Sequence, residues 1–341
     1  MQPTKIAVVG AGKLGGYHAN LAAKLEEFDL VAVADPFEAS RAALAEKVGT
    51  RAVADVGEVI GEIDAAVVAT PTATHASVVE RLLDAGKHVL VEKPIAPTAA
   101  EANRMVAAAE RSGVTLQVGH VERFSPALVA AGDTLQQPRF IQAVRTSGYT
   151  FRSTDIGAVL DLMIHDIDLV LSLAGSEVTE VTAVGSSVLG GHEDVVNTRL
   201  TFVNGCVADL TASRVSYQLQ RTMNVFTTTG FTALDFATGK ATTVTPTDAV
   251  LSGTFDGESL PPERKAELFA GKMFEEVLVK AEHEAPAVNA IELELLDFAE
   301  AIQTGNPPRV TGEAGRDAVA VAERILDAIT QSNVTSVKQA A

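Results

Sequence analysis

Lys5-Ile6-Ala7-Val8-Val9-Gly10-Ala11-Gly12-Lys13-Leu14-Gly15 is the stretch from which the fold of this chain is read. Lys5–Val9 is apolar enough for a buried strand, and a helical pattern follows the glycines as far as Leu25. Gly10 permits a tight turn, Gly12 lets a pyrophosphate approach the backbone, and Gly15 allows the helix to pack close. The N-terminus of that helix offers free N–H groups and a partial positive charge to phosphates. A second strand, Asp29–Ala34, ends in Asp35, 20 residues beyond Gly15. A carboxylate there accepts hydrogen bonds from ribose hydroxyls and repels a 2′-phosphate. Strand, glycine turn, helix, strand and acidic terminus fall in register, which predicts a dinucleotide site built on Gly10, Gly12, Lys13, Leu14, Gly15 and Asp35. The expected cofactor is NAD, with NADP disfavoured by Asp35.

The alternation of strand and helix continues. Ala65–Ala69 reads as a strand ending in Thr70-Pro71-Thr72, followed by a helix from Thr74 to Ala85. Lys87-His-Val-Leu-Val-Glu92-Lys93-Pro94 is a further strand. Proline cannot continue a central strand, so the sheet stops there. A helix over Thr98–Arg111 and a strand over Thr115–Val118 complete a parallel, doubly wound sheet. Ligands of such sheets bind at the carboxyl ends of the strands. Thr70, Pro71, Glu92 and Lys93 are therefore candidate cofactor residues. His75, one turn into its helix, reads equally as a cofactor contact or as a helix-terminus histidine.

Composition narrows the function classes. The chain has 341 residues, enough for two domains, with 47% hydrophobic and 21% charged content. Lys and Arg number 27 against 44 Asp and Glu, a net charge of −17, and tryptophan is absent. A nucleic-acid partner is disfavoured by that field and by the lack of stacking groups. The lone Cys206 cannot form an internal disulfide, which points to a buried thiol in a reducing, cytoplasmic setting. No secretory signal is expected, because the first apolar run opens directly into a fold motif. No apolar run approaches the ~18 residues of a membrane span. No metal-ligand spacing is evident among the histidines, and there is no Gly-x-Ser-x-Gly turn.

Gly119-His120-Val121-Glu122-Arg123-Phe124-Ser125-Pro126 marks the domain boundary, with a nucleotide-binding domain over 1–122 and a second α/β domain over 123–341. His120 and Arg123 follow a strand end and are candidate substrate residues. A planar guanidinium suits a phosphate or carboxylate approaching an acidic protein, although Arg123 could equally pair with a nearby carboxylate. Asp155–Ala174 reads as one helix. At about 100° per residue, Asp161, His165, Asp168 and Ser172 share a stripe about 60° wide on an otherwise apolar surface. Asp161 and His165 are i,i+4 neighbours, so the carboxylate could orient the imidazole for acid–base work or merely position the helix. A helix near Ser125–Ala131 and a strand over Arg139–Thr146 precede this segment. After it come strands over Glu177–Val188, Val195–Val203, Gly205–Val215, Val225–Thr229 and Phe231–Phe236, with Asn204-Gly205 as a hairpin turn. This predicts a large, open, mostly antiparallel sheet whose free face is covered in a homodimer or homotetramer. Thr242–Pro262 reads as loop, Ala287–Thr304 and Glu313–Thr330 as helices, and Ser332–Ala341 as a frayed tail.

Gly10–Gly15, Glu92-Lys93-Pro94 and Asp161-x-x-x-His165, taken together, resemble the glucose–fructose oxidoreductase/inositol dehydrogenase/MocA family over nearly the whole chain. The resemblance implies a Rossmann domain, a C-terminal α/β domain on an open sheet, and NAD(P)-dependent oxidation or reduction of a sugar-like alcohol. It implies Lys93 and His165 as the catalytic pair, supported by Asp161, with Lys93, His120, Arg123, Asp161 and His165 around the substrate. Gly119–Pro126 and His165-Asp166-Ile167-Asp168 further resemble the UDP-N-acetylglucosamine 3-dehydrogenases and related nucleotide-sugar oxidases. Those proteins often carry Gly-His-Ile-Glu-Arg-Phe-Asn-Pro, from which Val121 and Ser125 depart. The expected reaction is oxidation at the sugar 3-position of a UDP-N-acetylhexosamine. Oxidation of an uncharged polyol such as an inositol is the alternative. A third possibility is a protein that senses nicotinamide cofactor without turnover, though such a protein has no need of Lys93, Asp161 and His165 together.

Overall fold

The computed structural model describes residues 2–151, 156–286 and 288–340, with side chains as far as Ser332. The first half alternates as the hydrophobic pattern dictates: β1 (Thr4–Val9), α1 (Lys13–Ala22), β2 (Phe28–Ala34), α2 (Glu38–Val48), β3 (Arg51–Val53), β4 (Ala65–Val68), α3 (His75–Asp84), β5 (His88–Glu92), α4 (Ala99–Ser112) and β6 (Leu116–Gly119). The second half contains α5 (Pro126–Ala131), β7 (Phe140–Thr146), α6 (Ile164–Ala174), β8 (Val178–Ser186), β9 (Val195–Phe202), β10 (Val207–Ser213), β11 (Gln220–Thr227), β12 (Gly230–Asp235) and β13 (Lys240–Pro246). Three short helices follow, α7 (Asp248–Leu251), α8 (Pro262–Glu267) and α9 (Met273–Glu276), then β14 (Leu278–Glu284), α10 (Ala290–Thr304) and α11 (Gly312–Ala340).

Contacts divide the chain into two compact units, Met1–Phe124 with Asn289–Glu323, and Ser125–Val288 with Arg324–Ala341. The sequence reading instead places all of 123–341 in one domain. The difference has a packing cause. Leu295, Phe298 and Ala299 of α10 join Ile6, Val8, Ala19, Ala22, Val67 and Leu90 in the core of the first unit. An apolar helix face records that it must be covered, not which sheet covers it.

The first unit holds a six-stranded parallel sheet in the order β3-β2-β1-β4-β5-β6. This is the doubly wound arrangement in which the chain reverses direction across the sheet beside β1. Its central strands are apolar throughout because helices cover both faces. Gly312 and Gly315 let α11 approach the sheet, since a Cβ at either would meet Leu116 or Val118 within 2.8 Å.

The second unit holds eight strands in the order β14-β13-β12-β11-β7-β10-β9-β8, antiparallel except between β7 and β10. Strands here alternate buried and open residues, and α5 and α6 lie on the covered face. The stretch read as loop, Thr242–Pro262, begins inside β13, which is paired on both sides. Its Ala241–Val244 segment suits a pleated surface, but its threonines hide the alternation. The tail read as frayed is helical to Ala340, and no glycine or proline interrupts 316–340. Cys206 is free and buried, and burial pushes its thiol pKa up. No helix among the described residues is long and apolar enough to cross a membrane.

Candidate cofactor and catalytic site

The glycine loop lies between β1 and α1. Gly10 has φ +103°, and a Cβ there would stand 2.4 Å from the Ala69 carbonyl oxygen. A Cβ on Gly15 would stand 1.8 Å from the Gly10 carbonyl oxygen, so the first turn of α1 rests on the loop itself. Around Gly12 a Cβ would meet nothing within 4 Å, which leaves the main chain open to approach. Gly12 supplies no side-chain cap, and the first turn of α1, which begins at Lys13 and Leu14, has no acidic residue. Its N–H groups are thus available to an anion.

Asp35 closes the loop from the end of β2. Its carboxylate accepts the main-chain N–H of Ala11 at 2.7 Å and of Phe37 at 2.8 Å. A carboxylate has about four acceptor positions, so it can still receive a ribose hydroxyl. Arg41, which the sequence reading passed over, reaches back to the carbonyls of Asp35 (3.4 Å) and Pro36 (3.0 Å). These groups fit the pyrophosphate and ribose of a dinucleotide.

Thr70, Pro71, Glu92 and Lys93 lie at the same carboxyl rim of the sheet, just past β4 and at the end of β5. His75 departs from the expected cofactor contact. It is 1% exposed, with Nδ1 3.0 Å from the Pro94 carbonyl and Nε2 2.9 Å from that of Thr70. Burial lowers its pKa against the pull of those carbonyls and the Glu92 charge. The imidazole ties the two strand-end loops together from beneath and offers little surface to a ligand.

Beneath Lys93 lies a polar cluster that sequence reasoning missed. Glu92 is 8% exposed, and its Oε1 accepts from His18 Nε2 at 2.8 Å. Its Oε2 accepts the Lys93 main-chain N–H at 3.3 Å. Burial opposes the charge, but the His18 hydrogen bond, His18 itself and the Lys93 ammonium outweigh it and hold the carboxyl below its usual range. Gly119 makes room, since a Cβ there would stand 3.1 Å from Glu92 Oε2. From α10, Glu294 is buried, and burial together with the nearby Glu92 and Asp297 charges pushes its pKa well up. The available signal was His18, polar and five residues into a helix facing the core, where an unpaired imidazole is costly.

His120 is buried just past β6, and Arg123 sits half-exposed on the single turn Val121–Phe124 that follows. The Arg123 carbonyl accepts from Arg309, whose guanidinium lies 4.7 Å above the Phe124 ring. Both candidate substrate residues thus belong to the first unit.

In the second unit, the start of the expected helix, Asp155, lies outside the described residues. The rest is not one regular helix. Val159–Met163 forms a π turn in which the Ile164 N–H reaches back five residues to Val159, and α6 begins at Ile164. The π turn takes Asp161 off the 100° spacing, while His165, Asp168 and Ser172 keep it along α6. Asp161 and His165 are half-buried, Asp168 is buried and Ser172 is exposed. π turns of this kind recur at functional sites. Asp166, next to His165, is clamped by a bidentate pair with Arg145 of β7, at 3.0 and 2.8 Å, both groups buried. That clamp fixes the rotation of the helix that carries His165.

Comparison with known proteins agrees with this architecture. Residues 4–120 match the profile of the GFO_IDH_MocA oxidoreductase family, NAD-binding Rossmann fold, and residues 134–232 match the GFO/IDH/MocA C-terminal domain. The UDP-N-acetylglucosamine 3-dehydrogenase of Acidithiobacillus ferrooxidans is 36% identical over 235 residues, 68% of this chain and 74% of that protein. The scyllo-inositol 2-dehydrogenase (NAD(+)) of Bacillus subtilis is 31% identical over 231 residues, 62% of this chain and 68% of its own. Among solved structures, UDP-N-acetylglucosamine 3-dehydrogenase GnnA from Acidithiobacillus ferrooxidans superposes with a TM-score of 0.83 at 30% identity, covering 96% of this chain and 98% of the other. A levoglucosan dehydrogenase in complex with NADH and levoglucosan shares the fold, with a TM-score of 0.80 at 19% identity, covering 97% and 98% of the two chains.

Proposed function

The chain belongs to the Gfo/Idh/MocA family of oxidoreductases with an NAD-binding Rossmann fold, and from that premise we propose that it oxidises a secondary hydroxyl of a sugar, at the 3-position of a UDP-N-acetylhexosamine. The observation that carries the redox part is the backbone cradle of Gly10, Gly12 and Gly15, open at Gly12 and closed by Asp35. Lys13, Leu14, Thr70, Pro71 and Glu92 complete its rim. NAD bound there supplies a hydride acceptor. His165 takes the hydroxyl proton as general base, and Asp161 orients the imidazole. The Lys93 ammonium, held beside the Glu92 carboxylate, stabilises negative charge growing on the substrate oxygen. Arg123 and His120 hold the substrate, the guanidinium against its diphosphate.

The test is direct. Purified protein is incubated with NAD and a panel of UDP-N-acetylhexosamines and inositols, following NADH absorbance and product mass. A parallel arm with 2-oxoglutarate reveals turnover if reduced cofactor stays bound. Turnover of the nucleotide sugar with a mass loss of two hydrogens is expected; turnover of inositols alone replaces the substrate reading with its polyol rival, which the 31% identical inositol dehydrogenase favours. Arg123→Ala should weaken a nucleotide sugar far more than a polyol.

NAD is the proposed cofactor and the choice rests on Asp35, because Arg41, hydrogen-bonded to the Asp35 and Pro36 carbonyls, is a nearby cation of the kind that serves a 2′-phosphate. Asp35→Ser should raise kcat/KM with NADP relative to NAD. Assembly through the second sheet is supported by an apolar row on its open face, with Val207, Phe140, Phe226, Phe231 and Val244 in register across five strands. The three rings stack at 5.6 and 4.8 Å. A second copy of this chain is the proposed cover. The single buried Cys206 fits a cytoplasmic setting.

A further inference from the structure

The layer in which α1 and α10 pack on the first sheet is apolar except at one end. There, His18 (0% exposed), Glu92 (8%), Gln117 (0%) and Glu294 (1%) lie together, on four different elements. Gln117 Nε2 donates to the Glu294 carbonyl at 3.0 Å, which joins β6 to α10. Two carboxyls in one dry layer do not both ionise, and the donors decide which does. Glu92 has two, His18 Nε2–H and the Lys93 main-chain N–H, one on each oxygen. Among the described residues none reaches Glu294 Oε1. The charge therefore resides on Glu92, and its carboxylate is fixed at both ends, with Gly119 leaving the space in which it folds back toward its own strand end.

Nothing in the proposed reaction uses His18, yet it is buried in full and spends its Nε2 on Glu92. We propose that His18 is a positioning residue for Lys93, acting through Glu92: the imidazole holds the carboxylate, and the carboxylate holds both the main chain of Lys93 and the negative charge that keeps its side chain an ammonium. This rests on the role given to Lys93 above. Other titratable groups that feel the Glu92 charge are His75 from α3 and Glu294 from α10, the latter also beside Asp297. Burial pushes Glu294 toward its neutral form, and His18 and Lys93 are the neighbours whose hydrogen bonds and charge hold the Glu92 carboxyl ionised.

The experiment compares wild type with His18→Leu, His18→Gln, Glu92→Gln and Lys93→Met, using whichever panel substrate turns over. It measures kcat across pH, NAD affinity by fluorescence and melting temperature. Loss of the donor frees the Glu92 carboxylate to turn away from Lys93, so the alkaline limb of kcat for His18→Leu should move down by about one unit or more, the scale of one lost opposite charge. At a pH above the shifted limb, kcat should be about tenfold lower, while NAD affinity holds. His18→Gln, which keeps a donor at similar reach, should restore the limb. Glu92→Gln should displace it as His18→Leu does, and stands in if the leucine variant does not fold. An alkaline limb unmoved in either variant, with only the melting temperature lowered, overturns the positioning role. Lys93→Met separates the two levels: if it abolishes turnover while the limb stays put in His18→Leu, this inference fails and the reaction stands. If Lys93→Met turns over freely, the catalytic reading itself fails.

Discussion

In the first unit, β4 is buried at all four positions, Ala65–Val68, and β5 is buried from Val89 to Glu92. In the second, β9 alternates between buried and open residues along Val195–Phe202. A strand covered on both faces has no side on which to display chemistry, so its candidate functional residues gather where it ends: Asp35, Thr70, Glu92 and Lys93. A sheet with one open face is different. Its covered side meets α6, and the candidate acid–base residue, His165, rides on that helix rather than at a strand end. Strand ends are marked in sequence by glycine, proline and charge. The rotation of a helix is set by what clamps it.

If the second unit supplies a proton acceptor from its helix, His165→Ala should lose about 10²–10⁴ in turnover with NAD affinity little changed, the value of one positioned acid–base group. Steady-state kinetics and NAD titration check both halves, and undiminished turnover removes His165 from the role. The next largest effect falls on the clamp. Arg145→Met removes the bidentate partner of the buried Asp166, at a cost of about 3–5 kcal/mol by denaturant unfolding. The exposed pair Arg199–Asp209 on the open face of the same sheet, at 2.7 Å, is the control, and Arg199→Met should be barely measurable. Comparable losses from the two would mean that burial does not distinguish the faces.

Smaller still, Phe226→Asp should shift sedimentation toward a monomer while leaving the melting temperature of the protomer close to wild type, because Phe226 is 37% exposed. The smallest effect belongs to the first unit and carries the opposite sign. Glu294 has a folded-state pKa raised by burial above its unfolded value. Its contribution to stability is complete below the unfolded carboxyl range, about pH 4.3, and is lost as pH rises toward the folded pKa. Glu294→Gln should therefore melt with wild type near pH 4 and above it at pH 7–8, the gap widening with pH. A variant less stable at neutral pH would mean that Glu294 is ionised and paired.

The cofactor half of the site was legible because its residues are local. Gly10, Gly12, Gly15 and Asp35 stand in one turn and at two strand ends, where the sequence put them. His75 was half legible: its place at a helix start is local, but its two carbonyl partners, Thr70 and Pro94, are brought to it by neighbouring strands. His18 and Glu294 could not be paired with Glu92 from sequence, since 74 and 202 residues separate them along the chain. Of the stripe of Asp161, His165, Asp168 and Ser172, only the place of Asp161 was illegible, because a single π turn is invisible to a 100° ruler.

The alternation of strand and helix in the first half, the glycine loop and the strand-end lysine were written in the chain, because hydrophobic period and backbone permissiveness act over a few residues. Tertiary structure alone decided that α10 serves the first sheet, that Glu92 rather than Glu294 holds the buried charge, and that Arg145 sets the rotation of the His165 helix. Each is a contest among groups far apart in sequence, settled by which donors and apolar surfaces the fold brings within reach.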